Sequence, residues 1–168
     1  MSVFLGGSTS AYFVAHELLA RAVPVTIISN SLPVMELVAE HARPAVDLVG
    51  LGGTLRALTR SFVGPAATRA VEAHLADRLF LSTKGVSRDG VLTDPDEQEA
   101  EVKRTMIAQA AIPVLLADRS KLDARGLHVI GRLSAIDTVL AHGMDDDELE
   151  GLAAAGPTVV PVNEEEAA

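Results

Sequence analysis

Short apolar, often β-branched runs alternate along the chain with segments that have helical periodicity. The first runs, Val3–Leu5, Pro24–Ile28 and Val46–Leu51, each end in a turn of small or polar residues. Between the first two, apolar residues recur at amphipathic-helix spacing: Ala11, Val14, Ala15, Leu18 and Ala22. Later strand-like runs are Leu79–Leu81, Pro113–Ala117, Leu127–Ile130, Ile136–Leu140 and Thr158–Pro161. This alternation predicts an α/β fold, a mostly parallel sheet with helices on both faces.

Some segments do not follow the simple alternation. Thr54 to Val63 is too short and polar for a full βα unit, and we interpret it as a strand or hairpin at the sheet edge, followed by a helix from about Pro65 to Leu75. Ser82 to Thr93 reads as a loop. Asp94-Pro95-Asp96-Glu97 predicts a helix start capped by Asp94, with the helix running to about Ala111. Asp145–Asp147 predicts the start of a last helix.

Length and composition favour one cytoplasmic domain. The chain of 168 residues suits a single domain over residues 1–162, and residues 163–168 read as an acidic, disordered tail. No apolar run is long enough for a membrane span, and the first residues do not resemble a signal peptide. The sequence has no cysteine, which excludes disulfides and a thiol nucleophile.

The charge balance argues against nucleic-acid binding by this chain. It has 14 basic and 23 acidic residues and a net charge of −9, without a basic stripe. Proteins that bind DNA neutralise phosphates with clustered Lys and Arg. We therefore expect this chain alone not to bind DNA.

Ligands of parallel sheets bind outside the carboxyl ends of the strands, so the loops at those ends are the candidate site. Gly6-Gly7-Ser8-Thr9 follows the first strand and opens a helix, an arrangement that suits an anion, although a plain capped turn is the commoner reading. Asn30-Ser31 follows the second strand and predicts a helix cap, with ligand contact by Asn30 as an additional role. Gly52-Gly53 predicts either a tight turn or close approach of a ligand.

Charged residues follow the later strands. Lys84 is placed to pair with a phosphate or to lie on the surface as an ordinary loop lysine. Glu99 and Lys103 have the spacing of an exposed helix ion pair. Lys121, in Asp118-Arg119-Ser120-Lys121, is a second candidate cation. The histidines show no metal-ligand spacing, and we expect neither a metal nor a cofactor: His16, His41, His74, His128 and His142.

Taken in order, these signals resemble the C-terminal effector domain of DeoR-type transcriptional repressors over about Val3 to Leu140. The residues that carry the resemblance are Gly7-Ser8-Thr9, Asn30-Ser31, Gly52-Gly53, Val63-Gly64-Pro65, Gly85, Val91-Leu92-Thr93, Glu99, Lys103, Met106, Asp118, Ser120, Lys121 and Ile136-Asp137-Thr138. The chain departs from the family at Leu5, where members usually have an aspartate.

The resemblance implies a fold related to ribose-5-phosphate isomerase and the CoA-transferases, and a domain that senses phosphorylated sugars or related metabolites. The implied ligand-binding residues are Gly7, Ser8, Thr9, Asn30, Gly52, Gly53, Lys84, Glu99, Lys103 and Lys121. It also implies a homo-oligomer and a transcriptional regulator whose DNA-binding helix-turn-helix part is not in this chain.

An isomerase-like enzyme acting on a phosphorylated aldose or ketose is the alternative. Isomerases of this fold place an acidic pair after the strand that corresponds to Leu79–Leu81, whereas this chain has Ser82-Thr83-Lys84-Gly85. Aldose–ketose isomerisation needs a base beside the reacting carbon, and Glu99 is the nearby candidate. We therefore favour binding without catalysis over both the enzyme and a purely structural dimerisation module.

Overall fold

The computed structural model describes residues 1–163 and contains one large sheet, two small ones and five α-helices within that range. The helices are α1 (Thr9–Ala20), α2 (Leu32–Glu40), α3 (Pro65–Glu72), α4 (Glu97–Gln109) and α5 (Asp146–Ala154). The strands are β1 (Ser2–Leu5), β2 (Val25–Ser29), β3 (Val46–Gly50), β4 (Thr54–Arg56), β5 (Ser61–Val63), β6 (Ala76–Leu81), β7 (Gly85–Val86), β8 (Val91–Asp94), β9 (Ala110–Asp118), β10 (His128–Arg132), β11 (Thr138–His142) and β12 (Thr158–Val162). Two short 3₁₀ helices cover Arg119–Lys121 and Leu133–Ala135.

The large sheet has seven strands in the order β12-β11-β9-β6-β1-β2-β3, and every pairing in it is parallel. All seven carboxyl ends therefore lie along one edge, which confirms the predicted parallel α/β fold. The order of strands reverses between β1 and β6, and a crevice for ligands is expected at such a point.

Helices cover the two faces of the sheet unequally. Helices α1 and α2 pack on one face in a core built from residues such as Val3, Leu5 and Ile27. Helices α3, α4 and α5 pack on the other face in a larger core that includes Leu79, Leu115 and other residues. Aliphatic side chains and alanine build most of both cores, as the low aromatic content of 3% requires.

Two predicted segments are arranged differently from the expectation. Thr54 to Val63 is a hairpin, but β4 and β5 form their own two-stranded sheet instead of extending the edge of the large one. The N–H of Phe62 donates to the carbonyl of Asn30, which docks the hairpin over the carboxyl edge. The predicted loop from Ser82 to Thr93 contains β7 and most of β8, and β8 pairs with both β7 and β10 in a three-stranded antiparallel sheet.

The start of α4 corrects a second prediction. Asp94 does not cap this helix, because it lies in β8 opposite His128. The cap is Asp96, whose carboxylate accepts from the N–H of Glu99 at 2.9 Å. Asp145 does cap α5, with Glu148 completing a capping box.

The acidic tail predicted for residues 163–168 lies outside the described residues except for Asn163. Within the described part of the chain, no helix combines the length and the apolar character that spanning a bilayer requires.

Candidate functional site

A cleft of about 890 Å³ opens at the carboxyl edge, where the loops after β1, β2, β6 and β9 meet the hairpin. Its lining residues are Gly7, Ser8, Thr9, Ser10, Tyr12, Ser31, Pro33, Glu36, Leu37, Glu40, Leu58, Thr59, Arg60, Ser82, Asp118 and Lys121. Of the ten predicted site residues, Gly7, Ser8, Thr9 and Lys121 line this cleft.

The loop after β1 leads directly into the N-terminus of α1. Ser8 caps the helix, and its hydroxyl accepts from the N–H of Ala11 at 3.1 Å. The N–H of Gly6 donates to the carbonyl of Phe80, which ties the loop to β6. The first backbone N–H groups of a helix lack intrahelical partners, and the helix dipole places partial positive charge beside them. This end of α1 therefore presents donors to an anion in the cleft.

Gly7 allows the hairpin to approach the β1 loop closely. A Cβ atom on Gly7 would lie 2.6 Å from the Cβ of Ser61, which is closer than such atoms come in real structures. Ser61 also pairs with Ser31 in an isolated β-bridge. The packing of the cleft wall therefore requires a glycine at position 7 even without a ligand.

The loop after β9 positions Lys121. The backbone N–H of Ser120 donates to Asp118 Oδ1 at 2.8 Å, and the Ser120 hydroxyl donates to the same oxygen. These bonds, the side-chain bond above all, hold the pKa of the Asp118 carboxyl below its ordinary value, and the nearby charges of Lys121 and His142 act in the same direction. Burial opposes them. Asp118 therefore stays ionised at pH values above its lowered pKa. The stability that its hydrogen bonds give to the 3₁₀ turn carrying Lys121 is lost as pH falls through that pKa.

A second, much smaller cavity of about 10 Å³ lies beneath Gly7 and will be called the polar pocket. It is lined by Gly6, Gly7, Asn30, Ser61, Glu99, Val102, Lys103 and Met106. Three more predicted site residues, Asn30, Glu99 and Lys103, thus come together around Gly7, which borders both cavities.

Asn30 has one side-chain atom without a visible partner. Its amide nitrogen donates to the carbonyl of Phe62 at 2.8 Å. Its Oδ1 atom is buried and has no hydrogen-bond partner among the described residues. A buried acceptor left unpaired is costly, and such atoms are normally satisfied by water or by a ligand.

Glu99 and Lys103 do not form the exposed helix pair that their spacing predicts. The Glu99 side chain is buried and that of Lys103 is 11% exposed, and each has its own partner on another element. Lys103 Nζ lies 2.5 Å from Asp94 Oδ2, and the other oxygen of Asp94 accepts from the backbone N–H of Lys84 at 2.8 Å. This ion pair links α4 to β8 and to the loop after β6.

Glu99 accepts hydrogen bonds from the hairpin and not from Lys103. Its Oε1 atom accepts from the Ser61 hydroxyl at 3.1 Å, from Arg56 Nη1 at 3.3 Å and from the Thr59 hydroxyl. Arg56 also lies 3.5 Å from Asp96 at the start of α4. Since Thr59 lines the cleft, Glu99 connects the polar pocket to the cleft wall.

The remaining predicted site residues lie outside both cavities. Gly52 and Gly53 form the exposed turn into the hairpin, and a Cβ on Gly53 would lie 2.8 Å from the carbonyl oxygen of Val63. Close packing explains that glycine without a ligand. Lys84 is exposed, and its side chain does not line the cleft. Of the two candidate cations, Lys121 therefore lines the cleft and Lys84 does not.

The hairpin's share of the site was not predicted from the sequence. Arg56, Thr59, Arg60 and Ser61 all contact the cleft or Glu99. A usable signal was present, because Arg56 to Ser61 concentrates hydroxyl and guanidinium groups in a short polar segment.

The seven-stranded parallel sheet, with a cleft where its strand order reverses, places the chain in the class of open parallel α/β proteins. Ribose-5-phosphate isomerase A from Methanocaldococcus jannaschii superposes with a TM-score of 0.50 at 20% identity, over 73% of this chain and 46% of that one. This likeness concerns the fold alone. The sequence model of the DeoR C-terminal sensor domain matches residues 1–142, and the chain belongs to that family.

Individual relatives are transcriptional regulators. The HTH-type transcriptional regulator GlpR of Haloferax volcanii is 42% identical over 110 residues, which are 65% of this chain and 43% of the relative. The HTH-type transcriptional repressor CsqR of Escherichia coli is 33% identical, over 80% of this chain and 51% of the relative. The lactose phosphotransferase system repressor of Streptococcus mutans is 28% identical, over 90% and 59%. The chain spans about half the length of these relatives.

Proposed function

We propose that this sensor domain binds a phosphorylated sugar in the cleft and thereby controls DNA binding by a separate helix-turn-helix domain. One observation carries the proposal: the N-terminus of α1 and Lys121 line the same cleft at the switch point of the sheet. Helix N-termini and lysines are two of the commonest phosphate partners in proteins.

In the proposed complex the phosphate lies against Gly7, Ser8 and Thr9. Backbone N–H groups and hydroxyls donate to it, and Lys121 neutralises part of its charge. The α2 side of the cleft suits a phosphate less, because Glu36 and Glu40 line it and its cation, Arg60, is already paired with Glu36.

The sugar extends from the phosphate towards the polar pocket. The unpaired Oδ1 of Asn30 accepts from a sugar hydroxyl or from a water that the sugar holds. Glu99 and Lys103 border this place and keep its walls in position through the hairpin and β8. A ligand with several hydroxyls suits this lining better than an apolar metabolite does.

We propose binding without turnover. The sequence after β6, Ser82-Thr83-Lys84, has no carboxylate. Glu99, the remaining candidate base, has three donors on its Oε1 atom and stabilises the hairpin with it. The curated relatives are regulators, which favours the same conclusion. DNA contact is assigned to a separate domain because this chain carries a net charge of −9.

The test is thermal unfolding of the chain with hexose and pentose phosphates, the corresponding free sugars and inorganic phosphate. A phosphorylated sugar present at 100 times its dissociation constant adds about 2.7 kcal/mol. For a domain of this size, that free energy raises Tm by roughly 5–10 °C. Free sugars are expected to have no effect.

A coupled isomerase assay on each stabilising compound distinguishes the two functions. Stabilisation without turnover is the expected result. Turnover would support the enzyme, and stabilisation by free sugars alone would contradict the phosphate site.

A further inference from the structure

The polar pocket contains a buried hydrogen-bond acceptor whose orientation is fixed by the hairpin. Asn30 is 4% exposed, and its Oδ1 atom has no hydrogen-bond partner among the described residues. Its amide nitrogen donates to the carbonyl of Phe62 at 2.8 Å. Because a carbonyl only accepts, this bond turns the nitrogen towards the hairpin and leaves Oδ1 for a donor in the pocket.

Lys103 brings donors to the same pocket. A lysine ammonium carries several N–H donors and no acceptor. Within the described part of the chain its hydrogen-bond partner is Asp94 Oδ2, at 2.5 Å, so N–H groups remain on the pocket wall that Lys103 forms. The Ser61 hydroxyl also lines the pocket, but it is committed to Glu99 Oε1. The pocket thus offers one acceptor and spare ammonium donors to a single occupant.

The size of the pocket restricts that occupant to one water-sized group. Its volume is about 10 Å³. A single water needs roughly 10–15 Å³ of such space. Val102 and Met106 form apolar walls and are 1% and 0% exposed. A group with several non-hydrogen atoms therefore does not fit unless the core around it moves.

We propose that the polar pocket admits one unsubstituted hydroxyl group of the sugar phosphate, an inference that rests on the function proposed above. A hydroxyl is a small group that both donates and accepts, so it donates to Asn30 Oδ1 and accepts from Lys103 Nζ. Gly7 lines both the cleft and the pocket. A sugar whose phosphate lies in the cleft reaches the pocket past this residue, which has no side chain.

The same geometry excludes the common substituents of sugars at that position. A protonated amino group only donates and would lie against the charge of Lys103. An acetamido group is too large for the pocket, and a hydrogen atom leaves the acceptor of Asn30 without a partner. The domain therefore selects sugar phosphates with a free hydroxyl at this position over amino, acetamido and deoxy sugar phosphates.

Calorimetric titration with matched derivatives tests the pocket. The parent probe is whichever of glucose, galactose or fructose 6-phosphate or ribose 5-phosphate stabilises the chain most, and each derivative replaces one hydroxyl by hydrogen, amino or acetamido. At one position, all three replacements are expected to raise the dissociation constant about tenfold or more. In Asn30→Ala, which removes the acceptor, the hydrogen replacement at that position should change the constant by less than about twofold.

A second pair of variants tests the size of the pocket. Val102→Ala enlarges it and should tighten binding of the acetamido derivative about tenfold relative to wild type. Val71→Ala is the matched control, because Val71 is equally buried and lies outside the pocket. It should leave the binding of that derivative as weak as in wild type. Circular dichroism shows that each variant is folded.

The outcomes separate this inference from the function on which it rests. A parent probe that binds, with derivatives that bind equally well at every position, would overturn the hydroxyl pocket and leave the phosphate site standing. The same loss from the hydrogen replacement in Asn30→Ala as in wild type would also overturn it. Binding by none of the parent probes would overturn both.

Discussion

Lys103→Ala is expected to destabilise the domain by about 3–5 kcal/mol, since it leaves the carboxylate of Asp94 buried without its cation. Lys103 and Asp94 are 11% and 3% exposed at their side chains, and their charged atoms lie 2.5 Å apart. Among the described residues, the backbone N–H of Lys84 is the hydrogen-bond donor that Asp94 keeps in the variant. Urea unfolding monitored by circular dichroism measures the free energy of unfolding.

Two comparisons make this result specific. Arg104→Ala changes the next residue of the same helix, whose ion pair with Glu101 is exposed, and should cost about 1 kcal/mol or less. Asp94→Ala combined with Lys103→Ala removes both charges and should be less harmful than the sum of the two single changes. Additive costs would show that the ion pair contributes nothing beyond its separate side chains.

Glu99→Ala is expected to cost about 2–4 kcal/mol in the free energy of unfolding, because it removes the buried carboxylate that accepts hydrogen bonds from three side chains of the hairpin. The Ser61 side chain is buried and Arg56 is partly so, and both donate to Glu99. Glu99→Gln keeps an acceptor for the hydroxyls and should recover about half of the loss.

Glu101→Ala is the matched control for this second variant, because Glu101 lies on the same helix with half of its side chain exposed. Its cost should be within about 0.5 kcal/mol. Equal losses for Glu99→Ala and Glu101→Ala would contradict the role assigned to the Glu99 hydrogen bonds.

The parallel sheet could be predicted because its signal is local. Each strand is a short apolar run such as Val3–Leu5 or Pro113–Ala117, and each is followed by a polar turn. The convergence of the loops then follows from topology, since strands joined through helices run in parallel. Gly7, Ser8 and Thr9 were found in this way.

The start of α4 shows where local signals are ambiguous. Asp94 has Glu97 three residues later and Asp96 has Glu99 three residues later, so both match the pattern of a helix cap. Tertiary structure decides between them, because the pairing of β8 with β10 takes Asp94 into a strand. Nothing within the four residues contains that information.

The partners of Glu99 and Lys103 could not be predicted from the sequence for a similar reason. Spacing along a helix predicts contacts within that helix, and it predicted a contact between these two residues. Their actual partners, Ser61 and Asp94 among them, lie on the hairpin and on β8. The position of Lys84 outside the cleft likewise depends on how its loop pairs with β8, through the bond from the Lys84 N–H to the carbonyl of Thr93.

The most direct test of the phosphate site is calorimetric titration of a stabilising sugar phosphate into wild type, Lys121→Ala and Lys84→Ala. A charge-assisted bond to phosphate contributes roughly 1.5–3 kcal/mol, so Lys121→Ala should weaken binding by about one to two decades. Lys84→Ala, the matched control, should stay within about twofold of wild type. Wild-type affinity in Lys121→Ala would contradict the proposed site, and so would the absence of heat with every sugar phosphate.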